Sequence, residues 1–299
     1  MNRLLAFVLV LFLAPFTAGA QPQLQPSLNQ PQAFPSLWHI QGEQGEVYLL
    51  GSIHVLPPNL RWRTQPISRG LGRSDVYVFE VPQDQSAVIE LNSLIQAKGF
   101  LPEGQTLRGL LHPASLPDYD AAFKASGLSP AQVERQRPWL AGLQMMFAQI
   151  TSLKFAPDSG VDAVLMAEAE KKQKQTRYLE TIAEQFALLA PDDPVLEMEE
   201  FESSLKDLRD VGAELQPMVK AWASGDQAKL DKLINGDLDE FPDARKLLLD
   251  DRNRRWVPKI EAMLKEKHVF FVTVGAGHLT GPLGLPALLR KDGYQVVGP

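Results

Sequence analysis

Two histidines stand in turns of the same spacing near opposite ends of the chain, Gly51-Ser52-Ile53-His54 and Gly275-Ala276-Gly277-His278. Pro58 and Pro282 follow each first glycine at the same offset, and each turn ends an apolar, strand-like run. A short helical stretch and a further strand come next, residues 76–79 in one case and 294–297 in the other, which makes a repeated strand, G-x-x-H turn, helix and strand unit. Aligning the units sets Glu80 opposite Gly298, so only the first brings a carboxylate. Glu80 closes an apolar strand, where a charge is costly unless paired or metal-bound. His54, His278 and Glu80 together form a ligand set for a catalytic divalent metal, which takes three protein ligands and keeps one position for water. His39, within a strand, His112, before Pro113 at a helix start, and His268, in a solvated stretch before a strand, are weaker candidates. The sequence has no H-E-x-x-H helix, G-x-S-x-G elbow or phosphate-cradling glycine loop, so the usual zinc-peptidase, serine-hydrolase and nucleotide-binding readings lose support.

To meet, the two histidines need parallel strands that end at one carboxyl edge, the place where open α/β sheets bind ligands. Glycine at each strand end permits a tight or positive-φ turn there. Residues 37–40 and 47–50 flank Gly42-Glu43-Gln44-Gly45 as the strands of a hairpin, residues 65–73 form a short helix, and residues 76–79 a strand. Residues 85–266 read as helices almost throughout, an insertion between sheet elements. Its buried faces are Leu140, Leu143, Met146 and Phe147; then Val161, Val164, Leu165 and Ala169; then Trp256, Ile260 and Leu264. Residues 196–222 form an acidic amphipathic helix or helix pair, and Tyr178-Leu179-Glu180 a short strand. Residues 269–274 are apolar without alternation, the pattern of a strand covered on both faces. Residues 285–291 are helical, with Pro286 in the first turn. The expected fold class is α/β (α+β): a mixed sheet built from two repeated strand-GxxH-helix-strand units with a large helical insertion.

The chain has 299 residues and opens with Asn2-Arg3, an apolar run from Leu4 to Phe16 and Ala18-Gly19-Ala20. This is the pattern of a signal peptide over residues 1–20, cleaved after Ala20. Residues 21–35, rich in Gln, Pro, Ser and Asn, read as a disordered leader, and residues 36–299 as a single domain. The expectation is an exported protein, periplasmic or secreted, with no membrane attachment after cleavage. The absence of cysteine excludes a disulfide framework, thiolate ligands, a cysteine nucleophile and lipid attachment through an N-terminal cysteine. A net charge of −6 argues against a nucleic-acid partner.

The run Leu49-Leu50-Gly51-Ser52-Ile53-His54-Val55-Leu56-Pro57, with Gly160-Val161-Asp162, Leu179-Glu180-Thr181, Arg252-Asn253-Arg254 and Val274-Gly275-Ala276-Gly277-His278-Leu279, resembles the TraB/GumN family in both motif and order. The likeness covers nearly all of the chain after the signal peptide. That family is related to the Tiki-like metalloproteases, which use two G-x-x-H motifs and a glutamate. The resemblance therefore implies His54, Glu80 and His278 as metal-site residues. It also implies manganese or cobalt as the favoured ion, with zinc the further divalent candidate. Arg252 and Asn253 are implied as groups that polarise a carbonyl or hold an oxyanion, although Arg252, Asn253 and Arg254 sit on consecutive helical positions and cannot share one face. Glu180 would orient a histidine or accept a proton, or else Thr181 caps the next helix; Asp162 reads as a helix cap. Two functions follow. The first is an exported metal-dependent hydrolase cutting peptide or protein substrates, with Glu80 a third ligand or the general base. The second is a non-catalytic envelope protein that binds haem, a metal or a peptide under the helical insertion, a reading motivated by haem-binding relatives in the wider superfamily.

Overall fold

The computed structural model describes residues 31–299 apart from 237, 239 and 240; the expected signal peptide and residues 21–30 of the expected leader lie outside the described residues. Among the described residues, six strands form one mixed sheet in the order β4-β3-β5-β2-β1-β6. These are β1 (Leu37–Gln41), β2 (Glu46–Ser52), β3 (Val76–Phe79), β4 (Gln175–Tyr178), β5 (Val269–Gly275) and β6 (Val296–Val297). β1 and β2 are the antiparallel hairpin that the Gly42–Gly45 turn requires, closed by Gly42 N–H donating to Gly45 O at 2.8 Å. β2 and β5 run parallel from Glu46 opposite Val269 to Ser52 opposite Gly275, and β3 lies parallel on the other side of β5.

Both faces of this sheet are covered, and the two-residue period of a strand divides the side chains between them. Tyr48, Leu50, Tyr77, Phe79 and Phe271 join the larger core with the helices Gln65–Arg73, Pro138–Ser152, Val161–Lys171 and Val211–Ser224. Val47, Leu49, Val76, Val78, Phe270, Val272 and Val274 pack on the opposite side against the helices Asp251–Met263 and Leu285–Lys291. The expected faces are buried at Val161, Leu165 and Ala169, with Val164 half-buried, and at Trp256, Ile260 and Leu264. Pro138–Ser152 differs: Met145, Met146 and Ile150 are its buried centre, whereas Leu140 and Leu143 are half-buried against a third cluster, because this helix is packed on two sides.

Residues 175–178, just before the expected position, supply the strand within the helical block, and they extend the sheet beyond β3 instead of interrupting an all-helical insertion. The two G-x-x-H units share their order of elements but not their placement. From β2 the chain crosses β5 to reach β3, whereas from β5 it crosses β2 and β1 to reach β6, on the opposite edge. With right-handed crossovers, opposite directions put the two linking helices on opposite faces, as found. The ordered chain also starts earlier than Ser36: Ala33 is fully buried, its N–H donates to Arg61 O at 2.7 Å, and Phe34 N–H donates to Ala223 O at 2.7 Å. No helix among the described residues is long and apolar enough to cross a membrane.

Candidate active site

The carboxyl ends of β2, β3 and β5 converge, and each delivers one candidate residue within four positions of the strand end. His54 follows β2, Glu80 follows β3 directly, and His278 sits in the single 3-10 turn Ala276–Leu279 that ends β5. All three side chains are buried. Neither glycine needs positive φ, since Gly51 and Gly275 keep ordinary backbone angles, and Gly51 serves close approach instead. A Cβ on Gly51 would meet the Ala276 Cα at 3.1 Å, so glycine lets the two turns pack against each other. Gly160 does the same on the other side, because a Cβ there would overlap the backbone carbonyl of His54, and Val161 N–H donates to Ile53 O at 3.1 Å. Gly160→Ala is therefore expected to push the Val161–Lys171 helix off the first turn at a cost of about 1–3 kcal/mol, read as a lower midpoint in urea unfolding.

The helix Val161–Lys171 carries the partner of His54. Asp162 Oδ2 lies 2.7 Å from His54 Nδ1, both groups buried, so the imidazole donates from Nδ1 and carries its lone pair on Nε2. The second histidine is held in the same tautomer by a different device. Asn253 Nδ2 donates to Leu283 O at 2.8 Å, which turns Oδ1 toward His278 Nδ1 at 2.6 Å. His278 Nε2 then accepts from Arg252 Nη1 at 3.0 Å. Trp256 packs beside the His278 ring, its centroid 4.3 Å away.

Arg252 is fully buried and joins the two halves of the site. Its Nη2 donates to Glu80 Oε2 at 2.6 Å and to Glu180 Oε2 at 2.9 Å, and its Nε donates to Glu180 Oε1 at 2.9 Å. Trp256 Nε1 donates to Glu180 Oε1 at 3.1 Å. Glu80 accepts further bonds from Gly275 N–H at 2.6 Å and from Gln185 Nε2 at 3.1 Å. Arg252 stays in place partly through a π-helical turn, Lys246–Asp250, whose Leu248 carbonyl accepts Nη1 at 3.2 Å; such turns recur at functional sites.

Burial pushes the Glu80 carboxyl above the ordinary carboxylate range, opposed by Arg252, His54 and the Gly275 N–H. Burial alone would lower the His54 imidazole, but Asp162 and Glu80 hold it above its usual value. His278 goes the other way: burial, then Arg252 and His54, keep it well below the usual imidazole range, so it is neutral at physiological pH. The site thus holds one imidazole biased toward the cation and one held as a neutral base, beside a glutamate that takes up a proton more readily than a free one.

The donors suit a divalent ion in type. Each histidine has Nδ1 tied to an oxygen acceptor and its lone pair on Nε2, the arrangement that second-shell partners impose on metal-ligating imidazoles. Three buried carboxylates, Glu80, Asp162 and Glu180, face one buried guanidinium and the half-exposed Arg255, 3.4 Å from Glu180. Ionised, the carboxylates leave one negative charge in excess while both histidines are neutral. The expected ligand cage is nevertheless not assembled: among the described residues no three His, Cys, Asp or Glu side chains are grouped to hold an ion. His278 Nε2 and Glu80 Oε1 are 4.0 Å apart, with the Arg252 guanidinium bonded to both residues where a cation would lie.

All of the expected site residues come together, with three changes of role. Two of the three consecutive helical positions enter the site, the most that the helix allows, but as supports: Arg252 reaches Glu80, Asn253 holds His278 from the side, and Arg254 points to solvent and pairs with Asp251. Glu180 orients no histidine but fixes Arg252, and Thr181 separately forms a capping box with Glu184. Asp162 is no cap, for Gly160 takes that position and the carboxylate turns inward to His54. Gln185 is a contact the sequence reading missed; its one signal is an amide on the buried face of the helix Ile182–Leu189. The other histidines are as expected. His39 is half-buried against Glu46 and Tyr48, His112 caps the turn at Pro113, and His268 is exposed.

Two curated relatives are similar to this chain: Metalloprotease TIKI1 of Danio rerio, 25% identical over 87% of this chain and 62% of that protein, and Metalloprotease TIKI1 of Homo sapiens, 23% identical over 95% of this chain and 65% of that protein. The chain therefore spans less than two thirds of the length of these relatives. No solved structure matches it. The model of the TraB/PrgY/gumN family matches residues 36–297, a span that includes both G-x-x-H turns, Glu80 and the Arg252-Asn253 pair, and the chain belongs to that family.

Proposed function

We propose that this chain is an exported, metal-dependent hydrolase acting on peptide bonds, with His54 and His278 as metal ligands and Glu80 as third ligand or general base. The observation that carries the reading is the matched pair of imidazoles, each with Nδ1 held by an acceptor, Asp162 or Asn253, beside the buried Glu80. The TIKI1 relatives, named as metalloproteases, support the same reading. A divalent ion bound there supplies Lewis-acid polarisation of a carbonyl and brings water near a neutral pKa. The protein's own part is positional and acid-base. As general base, Glu80, with its raised pKa, would take the proton lost by the attacking water as its oxygen bonds the carbonyl carbon, and return it to the amine as the C–N bond breaks. Arg252 bridges Glu80 and Glu180 and compensates their charge, its N–H groups being taken by these carboxylates, the Leu248 carbonyl and His278. Asp162 and Asn253 hold each imidazole with Nδ1 donating, and an ion would have to displace Arg252 from Nε2 of His278.

Beside His54, Glu80 and Gln185 lies a small cavity of about 10 Å³, room for about one water molecule and far below the roughly 300–1,000 Å³ usual for small-molecule pockets. That size suits a single water beside Glu80, not haem. Full-length protein purified without chelators is expected to carry or take up manganese, cobalt or zinc at about one ion per chain, the stoichiometry of a single catalytic site. Elemental analysis of the His54→Ala/His278→Ala double variant decides it: uptake equal to that of the unaltered protein would sink the assignment.

A further inference from the structure

Away from His54 and His278, the helical block carries a groove of about 760 Å³, lined in part by His112, that is not part of the site above. Its walls expose side chains that a folded domain usually buries. Phe100 and Leu110 are each 42% exposed and Val195 is 65% exposed, with Met198 adding to the same lining. Its polar lining is acidic. Glu197 is neutralised by Arg137 at 2.6 Å and Asp192 by Lys98 at 2.9 Å, which leaves Glu199 and Glu202 in excess among the lining residues. An occupant that complements this surface has large apolar side chains next to positive charge.

The groove is braced on the helix that touches Glu80. Arg137 Nη2 donates to the carbonyl of Pro191, just beyond the helix Ile182–Leu189, at 3.0 Å. Trp139 N–H donates to Glu197 at 3.1 Å, and its ring packs edge-on to Phe186 at 5.4 Å. In the first turns of that helix Gln185 donates to Glu80. At 1.5 Å per residue, Gln185 is about 6 Å along the axis from Leu189, the last helical residue before the groove. One short helix therefore links the wall of the groove to Glu80.

We propose that this groove is an accessory subsite for the polypeptide substrate, selecting a segment in which large apolar residues alternate with lysine or arginine. The proposal rests on the hydrolase reading, and binding is measured separately from cleavage. The probe is a fluorescein-labelled peptide of alternating leucine and lysine, with a leucine–glutamate peptide as control, added to the full chain in the presence of chelator. Fluorescence polarisation is expected to show the lysine peptide bound and the glutamate peptide not. The Val195→Asn/Leu110→Asn variant should weaken binding about tenfold or more, as expected for loss of two buried apolar contacts. Glu199→Lys should weaken it by an amount that shrinks at high salt. Equal binding to the unaltered and variant proteins, or equally tight binding of the glutamate peptide, would overturn the groove. So would light scattering that finds a dimer which the Val195→Asn/Leu110→Asn change turns into monomer, since a second copy would then be the occupant. A peptide held through the groove but uncut with manganese, cobalt or zinc overturns the hydrolase reading alone. Cleavage whose kcat/KM is unchanged in the groove variants overturns the groove alone.

Discussion

Replacing Arg252 by methionine is expected to cost about 3–5 kcal/mol of stability at neutral pH, the usual penalty for stripping one partner from a buried ion pair. The side chain is fully buried and bonds both Glu80 and Glu180, so its removal leaves two buried carboxylates without their common cation. The half-exposed Arg255, 3.4 Å from Glu180, cannot reach deep enough to replace it. The pH dependence has a definite sign. Glu80 already has a folded-state pKa above the ordinary value, through burial, and Arg252 is the largest influence opposing that rise. Without Arg252 the folded state binds its proton still more readily than the unfolded chain does. Stability then falls as pH rises through the window between the ordinary carboxylate pKa and the raised one, and is regained on acidification. Urea unfolding at several pH values checks this, and adding Glu180→Gln to Arg252→Met should return part of the loss. A variant as stable as the unaltered protein at neutral pH would mean that water, not Arg252, satisfies these carboxylates.

Glu80→Gln is expected to lower turnover by about 10²–10⁴-fold in the hydrolase proposed above, the range for loss of a positioned acid-base group. The substitution is not silent structurally. Glu80 accepts from Gly275 N–H at one oxygen and from Arg252 and Gln185 at the other, all donors, so an amide NH₂ must face one of them. Metal content and thermal midpoint therefore need to be measured beside turnover. Metal retained with turnover lost makes Glu80 the base; metal lost with it makes Glu80 a ligand. Unchanged turnover in a folded, metal-bearing variant removes Glu80 from the chemistry.

Much of the sheet was legible because strands declare themselves locally. Val269–Gly275 reads as doubly covered from its apolar run alone, and Gly42–Gly45 as a hairpin turn from its glycines. The chemistry at the strand ends was legible for a related reason: a charge such as Glu80 at the end of a buried strand has few places to go. Helical residues were harder to assign. Asp162 in a first turn looks like a cap, and only the packing of Gly160 against the His54 backbone turns its carboxylate to the imidazole. Gln185 carries no local sign that its amide ends on Glu80, 105 positions away in sequence.

The sequence by itself determined the parts: two strands that end in G-x-x-H turns, a glutamate after a third, a helical block between them, and the family to which these motifs point. These are short-range properties, written in side-chain period and in the glycines that allow close approach. Only the tertiary structure decided how the parts meet. The two turns pack side by side because β2 and β5 are parallel neighbours, while their linking helices leave on opposite faces because the crossovers run in opposite directions. It also decided that Arg252, not a third protein ligand, stands between His278 and Glu80. Long-range pairing of buried charges depends on which helix is pressed against which strand end, and a local pattern in sequence carries no record of that.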